Sequence, residues 1–202
     1  MDKQQRMYST MSNLVLGFHG CNKDTYRKVL LGSEILHESK NSYDWLGNGM
    51  YFWEQDISRA WQWANHHYPS NPAVIGAVID MGYCLNFLDS RSIALLRDAY
   101  EIFQLKRELT ESPQLFNKNV KNNNDLLLRF LDCAVIQDLH EERKIHGLRD
   151  FDTVRGLFQE GKPIYETSGF REKTHIQICV RNPNCIKGFF SPRNIDVGWN
   201  IV

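Results

Sequence analysis

The 202-residue chain has no C-x-x-C pair, no net charge and no run near the roughly 18 apolar residues of a membrane span. Each absence excludes something. The five cysteines, Cys21, Cys84, Cys133, Cys179 and Cys185, are scattered and odd in number. That argues against a disulfide framework or a zinc site and for a reducing compartment. Lys plus Arg and Asp plus Glu balance at 24 each, so no global cationic field points to nucleic acid or to a membrane. The start of the chain, MDKQQRMYSTMSN, lacks the apolar core of a signal peptide. The expectation is a cytoplasmic protein that holds no metal.

What is present is ordinary in bulk and unusual in detail. Hydrophobic residues make up 42% and charged residues 24%, which suits one globular domain over residues 1–202. LVLGFHG (14–20) reads as a strand ending at a glycine. KDTYRKVLL (23–31) reads as a short helix capped by Asp24 or Thr25. GMYFW (49–53) is a strand behind a glycine-rich turn. DISRAWQWANHHY (56–68) is a helix capped by Asp56, and AVIGAVIDM (73–81) is a buried strand.

From about 89 to 146 the pattern turns helical. SRSIALLRDAYEIFQLKREL and DLLLRFLDCAVIQDLHEERKI are the two helices, and the asparagine-rich ESPQLFNKNVKNNND is a mobile connection between them. HEERK (140–144) reads as a solvated helix face, and Cys133 as core. Strands return at 151–158, 174–180 and 187–190. Strands outside and a helical block inside make the class α+β.

Three segments carry candidate chemistry. His19-Gly20 ends the first strand, where a ligand can approach the backbone closely; the alternative is a histidine satisfied by neighbouring backbone. In SYDWLGNGMYFWEQD, the Gly47-Asn48-Gly49 turn lets backbone pass near a ligand. Tyr51 and Trp63 offer ring faces for stacking, while Phe52, Trp53 and Trp61 are core or rim. In THIQICV, alternation puts His175, Gln177 and Cys179 on one face. Gln177 there needs a partner: a neighbouring side chain or a cleft.

In this order and spacing the segments resemble the ADP-ribosyltransferase superfamily, on its His-Tyr-Glu side with diphtheria toxin and the poly(ADP-ribose) polymerases. His19-Gly20 matches the first element and Gly49-Met50-Tyr51-Phe52 the second. Ser58 and Trp63 fall where the family's helix serine and second aromatic belong, allowing one extra residue. KTHIQICVRNPNCIKGFF is similar to the last strand and turn. The resemblance implies a split two-sheet core with 89–146 as an insertion, and NAD as substrate. His19 would hold a ribose hydroxyl, the Gly20 backbone the nicotinamide amide, and Tyr51 and Trp63 the two faces of the ring.

The chain departs from the family at Gln177, which stands where a Glu is expected. An amide can orient a hydroxyl but cannot act as a general base. That favours mono-ADP-ribosylation over chain elongation. Glu172, Glu166 and His175 are alternative third residues, against a reading of the two glutamates as solvated loop charge. Arg155 and Glu160 could form an acceptor-site pair; a surface ion pair is preferred.

The acceptor is a protein side chain or a nucleic-acid base. Arg171, Lys173, Arg181, Lys187 and Arg193 give the C-terminal region a basic bias that could meet phosphates. By family resemblance the chain would be a toxin or phage-defence effector with a neutralising antitoxin partner. The other readings are an NAD glycohydrolase and a degenerate module that binds NAD or ADP-ribose without turnover.

Overall fold

A computed structural model describes residues 14–120, 125–194 and 197–198. The polar start of the chain and the centre of the asparagine-rich connection lie outside the described residues. The elements run β1 (Leu14–Asn22), α1 (Lys23–Leu30), β2 (Met50–Glu54), α2 (Ile57–His67), β3 (Pro72–Asp80), β4 (Cys84–Asn86), α3 (Ser90–Leu109), α4 (Phe130–Ile145), β5 (Thr153–Phe158), β6 (His175–Val180) and β7 (Ile186–Phe190). The strands form one seven-stranded sheet in the order β4-β5-β6-β2-β1-β3-β7. Only β4 and β5 pair in parallel. The class is α+β, with a mixed sheet.

Local chemistry fixes the helix starts. Asn22, not Asp24 or Thr25, caps α1 by accepting from Thr25 N at 2.8 Å. Asp56 caps α2 through Arg59 N, and Asp89 caps α3 through Arg91 N, each at 2.9 Å. The second helix of the 89–146 block begins at Phe130, five residues later than its apolar pattern predicts. Leu126 has φ +50°, outside the helical region, and Leu128 instead bridges to Lys118. His140, read from sequence as solvated, is 4% exposed on the inner face of α4. Of the run HEERK only His140 faces the core; Glu141 and Lys144 are exposed.

Each face of the sheet is covered differently. One face buries Val15, Phe52, Ile75, Ile79 and Ile178 with Val29 of α1. The other has two separate covers. Leu46, Leu85, Val154 and Cys179 pack with Ala99 and Phe103 of α3 and Val135 and Leu139 of α4. Phe18, Trp53 and Val74 pack with Ala60 and Ala64 of α2. Strand register lines up Phe18, Trp53, Gln177 and Gly156 across four strands. Cross-strand neighbours share a face, so this row runs between the two covers.

Candidate functional site

Strands β1 and β2 share only the register pairs Gly17↔Glu54 and Phe18↔Trp53. Beyond them the strands part. His19–Asn22 pair with β3 alone, and Met50–Phe52 with β6 alone. His19 sits at the fork. Its Nδ1–H donates to the Tyr51 carbonyl at 2.8 Å, spanning the opening, and its ring meets Phe52 edge-on. Burial holds the His19 pKa below its ordinary value, so the ring is neutral. With Nδ1 the donor, Nε2 is left as an acceptor. No side chain or backbone group takes it up among the described residues.

The other resemblance-derived residues are placed less simply. Tyr51 packs its ring in the cluster under α3 and α4. Its hydroxyl donates to Gly47 O at 2.6 Å and accepts from Leu46 N at 2.9 Å. Trp63 belongs to the α2 cluster, and His67 stacks on one of its faces at 4.0 Å. The two rings make no contact and do not form a sandwich. Ser58 is exposed in the first turn of α2.

Gly20 turns its α-carbon to α2. A Cβ there would lie 2.6 Å from Ala60 O and 3.1 Å from Trp63 Cε3. The Gly47-Asn48-Gly49 turn also approaches protein, not an open cleft. A Cβ on Gly49 would lie 2.5 Å from Cys179 Sγ, and one on Gly47 2.7 Å from Gln137 Oε1. Asn48 N donates to the same Gln137 oxygen at 3.2 Å. The glycines let strand, turn and α4 pack together.

Gln177 occupies the row between the two covers and finds a side-chain partner. Its amide donates to His175 Nε2 at 3.1 Å. The His175 Nδ1–H donates to Lys173 O at 2.7 Å, which fixes this tautomer. Burial lowers the His175 pKa, so the ring is neutral and Nε2 is an acceptor. Glu160 approaches the same nitrogen at 3.7 Å, and Arg59 approaches Glu160 at 3.6 Å. Both distances exceed a hydrogen bond. The side chains of Arg59 and Glu160 are 13% and 14% exposed.

Glu160 is thus a mostly buried carboxylate with no side-chain hydrogen bond among the described residues. Burial raises its pKa against the pull of Arg59 and Lys173. Two indoles flank the neighbouring His175: Trp45 stacks near it at 6.4 Å, and Trp53 lies 6.5 Å from the same ring and 6.1 Å from Trp63. The Nε atoms of Arg59 and Arg129 and Nε1 of Trp53 are buried donors without an acceptor. Three of the seven such atoms among the described residues gather here, which makes this network a candidate site.

Arg155 and Glu160 do not pair. Arg155 instead makes a two-point contact with Glu54, at 2.5 and 2.7 Å. Glu166 is exposed, and Glu172, also exposed, accepts from Lys162 N at 3.2 Å. Of the basic residues, Arg171 pairs with Asp125 and Lys187 with Asp80. A groove of about 600 Å³ lies elsewhere, lined by Leu36, Met50, Ile186 and Phe189. It is lined by Lys187 but by none of His19, Gly20, Tyr51, Ser58, Trp63 and Gln177. Arg59 reads as an ordinary helix residue until the fold brings it to Glu160, and Trp45 shows in the sequence only as one aromatic of the glycine-rich stretch until the fold brings it to His175.

No protein-family model matches the chain, and no solved structure matches it. An uncharacterized protein of Methanocaldococcus jannaschii, MJ0359, is 27% identical over 193 residues, covering 84% of this chain and 83% of the relative. The unmatched remainder is shorter than the 89–146 block, so the similarity extends into that block and is not confined to the strands that carry the candidate site.

Proposed function

We propose that this protein is an NAD-dependent mono-ADP-ribosyltransferase with a split-sheet core of the ADP-ribosyltransferase type. The observation that carries the reading is the fork between β1 and β2, bridged by His19 with Nε2 left as an acceptor. A neutral imidazole acceptor at a strand fork suits a ribose hydroxyl donor. NAD would enter at the fork, with its nicotinamide toward Gly20 and Trp63 and Tyr51 supporting the floor through the Gly47 turn.

Cleavage of the nicotinamide–ribose bond passes through a cation-like sugar, which preorganised negative or dipolar groups stabilise. The side-chain oxygen of Gln177 is one such dipole, since its amide nitrogen is committed to His175. An amide at that position does not support chain elongation, hence a single transfer to a protein or nucleic-acid acceptor. Roles as a toxin or phage-defence effector, and a neutralising partner, rest on the family resemblance alone.

The test uses NAD labelled separately in nicotinamide and in ADP-ribose, added with the protein to whole-cell lysate. Release of free nicotinamide with label fixed in the protein or RNA fraction supports the transferase. Free ADP-ribose formed without any acceptor makes it a glycohydrolase. NAD bound with no nicotinamide released makes it a binding module, the outcome that Gln177 in place of a carboxylate would favour.

A further inference from the structure

Strand β6 lacks a carboxylate, yet a carboxylate stands beside it. Glu160 follows β5 and not β6, but the antiparallel pairing of those strands sets Phe158 opposite His175. The chain leaving β5 therefore runs past the start of β6, and Lys173 N donates to Glu160 O at 3.0 Å. That backbone bond anchors the residue. Its side chain then points to the histidine that Gln177 already holds.

We propose that Glu160 is the catalytic carboxylate of this site, taking the proton of the acceptor nucleophile, with Gln177 and His175 as its positioning residues. This assignment rests on the transferase reading above. In the step, the glycosidic bond of NAD breaks and its electron pair leaves with nicotinamide, which departs neutral because its ring was cationic. The acceptor X–H forms a bond from X to the freed ribose carbon. The proton of X–H passes to the Glu160 carboxylate and from there to water. Atoms and charge balance with no further reactant.

Three observations favour this role over a structural one. A structural carboxylate at 14% exposure would be fully hydrogen-bonded, whereas among the described residues no side-chain donor lies closer to this one than Arg59 at 3.6 Å. Its surroundings raise its proton affinity while Arg59 and Lys173 oppose that rise, the balance a general base needs near neutral pH. Glu172, the other carboxylate of the segment, is exposed and engaged by Lys162 N. Neutral His175 accepts from Gln177, so it has no lone pair left to serve as the base.

The experiment compares wild type, Glu160→Gln, Glu160→Asp and Glu172→Gln. Nicotinamide release from NAD is followed with whole-cell lysate as the acceptor source, NAD binding by quenching of tryptophan fluorescence, and folding by thermal melting. Glu160→Gln should cut release by at least ~100-fold while binding stays within about threefold of wild type. Glu172→Gln should match wild type. Glu160→Asp keeps the charge beside Arg59 and serves if the amide variant fails to fold; it should melt like wild type and lose most of the release. Release from a folded Glu160 variant at the wild-type rate overturns the assignment and leaves the transferase reading standing. Absence of release from wild type overturns the reading itself.

Discussion

The guanidinium of Arg155 grips the carboxylate of Glu54 across an intervening strand, with two nitrogens on two oxygens. Glu54 ends β2, Arg155 lies on β5, and β6 runs between them. Each side chain is only 12% exposed. Breaking such a pair strands one buried charge. Arg155→Ala should cost about 3–5 kcal/mol, and the double change Glu54→Leu with Arg155→Met should recover most of it. Urea denaturation of the wild type and the two variants checks this; equal losses in the single and double variants would contradict it.

The Tyr51 hydroxyl holds Leu46 N and Gly47 O at once. Tyr51→Phe leaves both without that partner and should destabilise by roughly 1–3 kcal/mol. Hydrogen exchange at residues 46–49 should speed up relative to the strands. Unchanged protection of the Leu46 amide would show that the hydroxyl is not what holds the turn.

Gly20 separates packing from ligand binding. A methyl there meets the Ala60 carbonyl at 2.6 Å, so Gly20→Ala should lose about 1–3 kcal/mol whether or not NAD is present. If the variant melts at the wild-type temperature, α2 can shift and the glycine serves another purpose.

His19 gives the matching functional test. His19→Ala removes both the bridge to Tyr51 O and the free Nε2. It should lower kcat/KM for nicotinamide release by at least ~10-fold, while His19→Asn, which keeps an amide donor toward the carbonyl, should fold normally and lose most of the rate. A His19→Ala protein with full activity would remove the fork from the site.

Acid should unfold this protein through its histidines. Burial, helped by Arg181 and Arg143, lowers His140 from 6.5 to about 3, and burial also lowers His19 and His175. A folded state that refuses a proton loses stability as pH falls below the unfolded value. The loss begins near 6.5 and, for His140, continues to about 3. Glu160 has the opposite sign, because its raised pKa favours the protonated folded form, but it opposes three histidines. His140→Leu should therefore flatten the melting temperature between neutral pH and pH ~4, where His140 alone costs roughly 3 kcal/mol. An unchanged slope would place the titration elsewhere.

Much of the fold was legible because it rests on short-range pattern. Alternation in THIQICV correctly set His175, Gln177 and Cys179 on one face, and the cap Asp56 sat where a polar residue precedes a helical period. Misread positions have longer-range causes. The run from 125 to 129 has helical composition, but Leu127 O is held by Trp45 Nε1 at 2.8 Å, and that tertiary bond draws the segment away from α4. Three-residue β4 is too short to show a period.

The sequence by itself determined the α+β class, the buried strands, the helical block and the residues His19, Tyr51, Trp63 and Gln177 as ones to watch. Those follow from periodicity and residue type, which act over a few positions. Only the tertiary structure decided which side chains meet. Arg155 left Glu160 for Glu54 because β6 carries them to the same face, and Glu160 joined Arg59, His175 and Gln177 because the turn after β5 passes the start of β6. Contacts between residues more than a hundred positions apart in the chain, such as Arg59 and Glu160, are fixed by strand order and register, and those have no local signature.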